Sequence, residues 1–155
     1  MSEPISVSRD IAASPEQVWS LVSDLPRMGE WSNENVGGKW VGGAAGPAPG
    51  AKFRGHNRNG IRRWATSVTV VDADPGARFS FSVSFAVLTI SEWAYDIEPT
   101  DSGCRVTETW TNLSPGWWSP IARLATGVAD RAAHTRAGME QTLEGVAAAA
   151  EASDG

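Results

Sequence analysis

The residues with the clearest potential for chemistry are Glu108 and Tyr95, one carboxyl and one phenol in otherwise apolar runs. Each falls in phase with apolar neighbours in a two-residue alternation, which predicts that both point into the interior. Burial disfavours an unpaired carboxylate, so Glu108 could act as a general acid or base, or hold a ligand hydroxyl. The alternatives are an ion pair with Arg123 or Arg131, or a hydrated position at the sheet rim. Tyr95 could donate to a ligand carbonyl, or to the backbone.

Other chemistry-bearing patterns are missing from the sequence. The two histidines, His56 and His134, and the single cysteine, Cys104, are scattered and lack metal-ligand spacing. No nucleophile elbow, phosphate loop or dinucleotide fingerprint occurs. We therefore expect no metal and no cofactor. His134 lies off the apolar stripe of its helix, which favours a solvated or helix-packed side chain, and Cys104 is expected to be a small buried apolar residue.

The composition indicates a globular protein with an unusual aromatic content. The chain has 155 residues, which fits one domain over 1–155, and 41% of them are hydrophobic. Eight Trp stand against one Tyr and four Phe. Because Trp supplies large, rigid apolar surface, this excess suits a big core or a cavity with aromatic walls.

The charge pattern limits the choice of partners and compartment. A net charge of −5 argues against nucleic acid, which requires a clustered basic face. The one dense basic run, 54–63, spans a predicted hairpin and is expected to be solvated. The N-terminus shows no secretion signal, and no apolar run approaches the ~20 residues of a membrane span. We expect a cytoplasmic protein without stable membrane insertion.

The order of elements predicts an antiparallel meander followed by a helix. Alternating runs joined by turn signals predict strands at 5–13, 40–41, 52–57, 61–71, 78–85, 88–98 and 105–112. Ser14 to Gln17 predicts a capped short helix, and 27–31 a second helical turn. From about Ser119 the apolar spacing changes to 3 and 4, which predicts one continuous helix of roughly 30 residues, ~45 Å long. Its apolar stripe comprises Ile121, Ala125, Val128, Ala132, Thr135, Met139, Thr142 and Val146.

A curved sheet must cover its apolar face, and only the last helix is long enough to do so. A straight helix fills a strongly curved sheet unevenly, which predicts a pocket. The alternation directs these candidate ligand-binding side chains toward it: Asn57, Trp64, Thr66, Val68, Phe79, Phe81, Val83, Trp93, Tyr95, Glu108 and Trp110. Apolar walls with sparse polar groups are typical of small-molecule sites. The alternative is that these side chains pack on the helix and leave no space, with Asn57 serving only its turn.

Two adjacent tryptophans, Trp117 and Trp118, sit between the last strand and the helix. One of them could close the pocket mouth, or form a patch for a partner or a membrane surface. The other possibility is that one caps the core and the other lies flat on the surface.

Three segments carry a resemblance to a known family: 11–19 (IAASPEQVW), Pro26 to Trp31, and 93–108. With the element order, they resemble the START-like, or SRPBCC, superfamily, in its polyketide cyclase/dehydrase and lipid transport branch. The resemblance implies an α+β helix-grip fold: about seven antiparallel strands wrapped around a long C-terminal helix, with two short helices after the first strand.

The resemblance implies three functions, which the residues leave open. The first is binding of a small hydrophobic, lipid- or polyketide-like ligand by a carrier or sensor. The second is a cofactor-independent cyclase, aromatase or dehydrase that moves protons with Glu108 and Tyr95. The third is a protein-interaction module that docks through Trp117 and Trp118.

Overall fold

The computed structural model describes residues 3–32 and 34–153. In chain order its elements are β1 (Ile5–Ile11), α1 (Pro15–Val22), a 3-10 helix (Leu25–Glu30), β2 (Asn35–Val41), β3 (Lys52–Asn59), β4 (Arg62–Asp74), β5 (Arg78–Phe85), β6 (Leu88–Thr100), β7 (Gly103–Asn112), α2 (Trp118–Thr126) and α3 (Arg131–Ser153). The strands form one antiparallel sheet in the order β1-β7-β6-β5-β4-β3-β2. This arrangement confirms the predicted α+β helix-grip fold.

The short helix α1 begins where its sequence predicts. Ser14 Oγ accepts a hydrogen bond of 3.1 Å from Gln17 N, and Gln17 Oε1 accepts one of 3.0 Å from Ser14 N. The two residues thus form a reciprocal capping box that satisfies free N–H groups at the helix start. The buried side chains Val18 and Val22 attach α1 to the core.

The helix α3 packs along the concave face, and its buried stripe contains Thr135, Met139, Thr142 and Val146 as predicted. Gly145 allows the closest approach. A Cβ at this position would overlap Trp31 Cβ and lie 3.2 Å from Trp31 Cα. The missing side chain therefore lets α3 seat on the segment that follows the 3-10 helix.

The prediction of one continuous helix from about Ser119 is wrong. The helix breaks after Thr126, where Gly127 adopts a left-handed conformation (φ 73°) and caps α2. A Cβ on Gly127 would also lie 2.9 Å from Arg62 Cδ. A new helix then starts with Asp130 Oδ1 accepting from Ala133 N (3.1 Å). The apolar spacing continues across this break, so periodicity alone did not reveal it.

Because of the break, α2 leaves the axis of α3 and crosses one end of the sheet. Three members of the predicted stripe are exposed: Ile121 and Ala125 on α2, and Ala132 in the first turn of α3. Among the helices of the described ranges, none is long and apolar enough to cross a membrane.

Candidate functional site

A cavity of about 320 Å³ lies between the concave face of the sheet and the helices α2 and α3. Its sheet wall includes Phe53, Asn57, Trp64, Thr66, Val68, Phe81, Val83, Phe85, Ile90, Ser91, Trp93, Tyr95, Glu108, Trp110 and Asn112. Its helix wall includes Trp118, Ile121, Ala122 and Thr126 from α2, and Arg131, His134, Thr135, Met139 and Thr142 from α3. The predicted gap between helix and sheet is therefore present.

Ten of the eleven side chains predicted to face the pocket line this cavity. They are Asn57, Trp64, Thr66, Val68, Phe81, Val83, Trp93, Tyr95, Glu108 and Trp110. Asn57 lies beside Thr66 on the cavity wall, and its Nδ2 donates a hydrogen bond of 3.2 Å to Thr66 Oγ1. The Asn57 amide therefore contacts the neighbouring strand as well as lying next to its turn.

Phe79, the eleventh predicted residue, does not line the cavity. Phe79 has the inward phase of its strand, but it is fully buried in the solid core away from the cavity. Its ring meets Trp19 edge-on at 6.3 Å and lies 5.6 Å from Phe81. The cavity occupies the end of the sheet beneath α2, whereas Phe79 lies at the opposite end of β5, near α1. Strand phase gives the face of a residue but not its depth along the sheet.

Aromatic rings on three neighbouring strands form a continuous wall. Phe81 on β5 stacks against Trp93 on β6 at 6.5 Å, and Trp93 lies 6.3 Å from Trp110 on β7. The strand register pairs Phe81 with Trp93 and Trp93 with Trp110. Cross-strand pairing therefore fixes the rings side by side and gives one side of the cavity a rigid apolar surface.

Glu108 and Tyr95 are direct cross-strand partners within this wall. The Tyr95 hydroxyl donates a 2.8 Å hydrogen bond to Glu108 Oε2, and Glu108 is 1% exposed. Burial raises the pKa of Glu108 to about 8, although the hydrogen bond from Tyr95 acts in the opposite direction. Burial, with the Glu108 carboxyl nearby, also raises the pKa of Tyr95 well above its ordinary value. Both groups are therefore mainly protonated near neutral pH.

The second carboxyl oxygen, Glu108 Oε1, is buried and has no hydrogen-bond partner among the described residues. The ion pairs considered for Glu108 are not formed. Arg131 instead contacts both carboxylate oxygens of Glu34, at 3.1 and 3.2 Å, and Arg123 Nη2 donates to Ala129 O at 3.4 Å. Because no Lys, Arg or His in the described part of the chain pairs with Glu108, desolvation dominates its protonation. A neutral carboxyl at this place can both donate and accept a hydrogen bond.

The cavity wall carries a second polar cluster that the sequence analysis did not predict. It consists of Glu34, Arg131 and His134, with His134 Nε2 3.3 Å from Glu34 Oε2. That nitrogen is buried and not aligned for a hydrogen bond within the described structure. The spacing of three between Arg131 and His134 places both on one side of α3. Glu34 lies just before β2, where no periodicity indicates its direction.

The two adjacent tryptophans divide between the cavity and the surface. Trp118 lines the cavity and lies 5.3 Å from Phe85. Trp117 is 63% exposed and meets Trp118 edge-on at 6.2 Å. One ring thus closes the cavity wall, and the other extends outward from it.

Cys104 is fully buried in β7, as expected for a small apolar residue. Within residues 3–32 and 34–153, no group of three His, Cys, Asp or Glu side chains is arranged to hold a metal ion.

An antiparallel sheet gripping a C-terminal helix over an aromatic cavity defines a helix-grip protein. The family model described as polyketide cyclase / dehydrase and lipid transport matches residues 4–151. The chain belongs to this family, which confirms the resemblance drawn from its motifs.

Solved structures share the fold. The polyketide-cyclase-like protein Cgl2372 of Corynebacterium glutamicum is 30% identical, with a TM-score of 0.63 over 93% of this chain and 88% of that one. Protein CV1439 of Chromobacterium violaceum is 17% identical, with a TM-score of 0.73 over 97% and 99% of the two chains. The di-domain ARO/CYC StfQ of the steffimycin biosynthetic pathway is 14% identical, with a TM-score of 0.74 over 97% of this chain and 51% of that one. No curated protein gives a significant match.

Proposed function

We propose that this protein is a carrier or sensor that binds a small hydrophobic, lipid- or polyketide-like ligand in its internal cavity. The observation that carries the proposal is the cavity itself, about 320 Å³ of space with aromatic walls. Its volume lies at the lower end of the range for small-molecule sites. A filled interior would instead have favoured the protein-interaction module.

The polar groups suggest the chemistry of the ligand. Glu108, protonated and with Oε1 unpartnered, offers a buried donor and acceptor among aromatic rings. A ligand hydroxyl or carbonyl at this point would satisfy Oε1, whose isolation otherwise costs free energy. The ligand is thus mainly apolar with at least one oxygen. The ligand-binding residues that we propose are Asn57, Trp64, Thr66, Val68, Phe81, Val83, Trp93, Tyr95, Glu108 and Trp110.

The test is binding of anilinonaphthalene sulfonate, an apolar fluorescent probe, after endogenous lipid has been extracted. Val83 lines the cavity, and Val83→Trp would occupy the space that the probe needs. Val71 is 46% exposed on the neighbouring strand, so Val71→Trp is a matched control that adds the same ring outside. We expect Val83→Trp to abolish probe binding and Val71→Trp to retain it. Equal binding by both variants would contradict a ligand site in the cavity.

Native mass spectrometry of protein purified from its own host supplies a second readout. We expect a retained apolar ligand on the wild type and less of it on Val83→Trp. Repeated failure to find any retained ligand would count heavily against the carrier function.

A second candidate is a cofactor-independent cyclase or dehydrase. The observation that favours it is the Tyr95–Glu108 hydrogen bond of 2.8 Å on the cavity wall, where burial raises the pKa of Glu108 to about 8. A carboxyl with a pKa near the working pH is suited to general acid–base catalysis. The cavity would hold a polyketide-like chain in a bent geometry while Glu108 and Tyr95 transfer protons. Unchanged turnover of such a substrate by a Glu108→Gln, Tyr95→Phe double variant would remove this mechanism.

A further inference from the structure

The cavity mouth is surrounded by apolar side chains that project into solvent. Ile61 is 95% exposed, Val87 is fully exposed, Leu124 is 77% exposed and Trp117 is 63% exposed. We call these four residues and the arginines around them, described below, the mouth surface. Large exposed apolar side chains that are grouped on one surface are typical of an interaction site.

The topology brings these residues together at one end of the sheet. The β3–β4 turn carries Ile61 and the β5–β6 turn carries Val87, and in an antiparallel sheet these two alternate turns share an end. The helix α2 connects them. Its last turn is tied to the first hairpin, since Asn59 Nδ2 donates to Thr126 O at 2.8 Å and Arg62 Nε donates to Leu124 O at 3.2 Å.

The other end of α2 meets the second hairpin, where Trp118 packs on Phe85. Phe85 is 39% exposed and Ile121 is 48% exposed, yet both line the cavity. The cavity therefore opens within the mouth surface, and its apolar lining continues onto the outside of the protein.

The charge of this end opposes that of the whole chain. The segments 58–63, 84–91 and 113–127 contain four arginines, Arg58, Arg62, Arg63 and Arg123, and no Asp or Glu, while the chain carries −5. Two acidic residues lie beside these segments: Glu34, which is paired with Arg131, and Asp130, which follows α2. The arginines outnumber them, so this end keeps a positive charge. All four arginines are exposed. None of them forms an ion pair with a carboxylate of the described residues. A local positive field thus surrounds the projecting apolar groups.

We propose that the mouth surface docks onto an anionic lipid bilayer, with Ile61 and Val87 entering the interface and the arginines contacting the headgroups. Apolar side chains flanked by Arg are typical of interfacial membrane binding, in which apolar insertion and attraction to anionic lipid add together. The proposal goes beyond ligand binding. It gives an apolar ligand a path between bilayer and cavity that avoids water.

The geometry favours a lipid surface over a second copy of the chain. A two-fold dimer would place the same patch against itself and bring four unpaired arginines against four others. Ile61 and Val87 also project from two different turns of this surface. A fluid bilayer accommodates such separate projections.

The first test is flotation with vesicles made of equal parts phosphatidylcholine and phosphatidylserine. We expect the full-length protein to bind them, and to bind vesicles of pure phosphatidylcholine much more weakly. The double variant Ile61→Ser with Val87→Ser should lose roughly tenfold or more in vesicle affinity, because two inserted aliphatic side chains are removed. The matched control, Val71→Ser, removes an exposed valine at the opposite end of β4 and should keep wild-type affinity, whereas Val87→Ser alone should already lower it.

The second test separates the electrostatic contribution to vesicle binding from the contribution of the inserted apolar side chains. Arg58→Gln with Arg63→Gln should lower affinity for the mixed vesicles by on the order of tenfold, and should make the remaining binding less sensitive to salt. Arg9→Gln with Arg136→Gln changes net charge equally at exposed positions away from the mouth and is the matched control. Equal losses in the two pairs would mean that net charge, rather than this surface, drives the attraction.

Three results would overturn the proposal: no binding to either vesicle, an equal effect of each variant and its control, or a dimer in sedimentation velocity that only Ile61→Ser with Val87→Ser dissociates. The last would assign the surface to a second copy. Neither Ile61 nor Val87 lines the cavity, so their variant should still bind anilinonaphthalene sulfonate. Loss of vesicle binding with probe binding intact therefore tests docking separately from ligand binding.

Discussion

Tyr95 donates a hydrogen bond of 2.8 Å to Glu108 Oε2 across two adjacent strands, while the other oxygen of the same carboxyl has no partner in the described structure. One oxygen is thus fixed by the scaffold, and the other is left for a ligand. Burial without a cation keeps this carboxyl neutral at pH values where an exposed glutamate is ionised. Between about pH 4.5 and 8, the stability of the protein should therefore depend on the ionisation of Glu108.

We predict that the free energy of unfolding falls as pH rises from 4.5 to about 8. The pKa of Glu108 is about 8 in the folded protein against an ordinary value of 4.5, so within this window the folded state holds a proton that the unfolded chain has lost. The slope is about 1.4 kcal/mol per pH unit, for a total on the order of 5 kcal/mol. The contribution of Glu108 to stability is largest below this window and is lost above it. Urea unfolding across this range measures the effect.

Glu108→Gln should flatten that pH dependence, because glutamine keeps the shape and an acceptor for Tyr95 but cannot ionise. Glu98 lies on the same sheet and is exposed, so Glu98→Gln is the matched control and should keep the wild-type slope. A slope that survives Glu108→Gln would show that another group controls stability in this range.

Tyr95→Phe should destabilise the protein by about 1–3 kcal/mol, since it leaves both oxygens of a buried carboxyl without a partner. The hydrogen bond from Tyr95 lowers the pKa of Glu108, so its removal should raise that pKa further and move the end of the stability decline to higher pH. The same substitution in a Glu108→Gln background completes a double-mutant cycle. Additive effects in this cycle would mean that the two side chains are not coupled.

The attachment of α2 to the β3–β4 hairpin should control opening of the cavity. Asn59→Ala with Arg62→Ala removes two hydrogen bonds to carbonyls at the end of α2. We expect faster amide exchange across 118–126 and unchanged exchange in α3 beyond residue 139, because local opening depends on the local contacts. Arg63→Ala changes an exposed neighbour on the same hairpin and should leave exchange in α2 unaltered. Unchanged protection in the double variant would show that side-chain packing alone holds α2 closed.

Gly145→Ala should destabilise the protein by about 1–3 kcal/mol although alanine is the better helix former. The added Cβ would overlap Trp31 Cβ and approach its backbone, so α3 or the Trp31 segment must move. The midpoint of urea unfolding should fall without a change in slope. Ala148→Gly, at an exposed position on the same helix, measures how much an exchange of Ala and Gly changes stability through helix propensity alone. A stabilising effect of Gly145→Ala would show that the contact yields without cost.

By itself, the sequence determined the features that depend on neighbours along the chain. Strand alternation put ten candidate side chains on the cavity wall, and Ser14 with Gln17 marked the start of α1. Motifs in the strands and α1 indicated the family. These features are predictable because a strand exposes alternate faces and a helix cap spans three residues, whatever the rest of the protein does.

Only the tertiary structure decided how far along the sheet the cavity extends and which groups meet inside it. Phe79 has the correct phase but lies beyond the cavity, and Glu34 reaches Arg131 and His134 from a loop without periodicity. The helix α2 ends at the left-handed Gly127 and lies across the mouth. Asn59 and Arg62, from a hairpin distant in sequence, hold it there by donating hydrogen bonds to carbonyls in its last turn. The protonation of Glu108 likewise depends on burial and on the distance from every cation. Such quantities are set by three-dimensional packing, and no local pattern in the sequence encodes them.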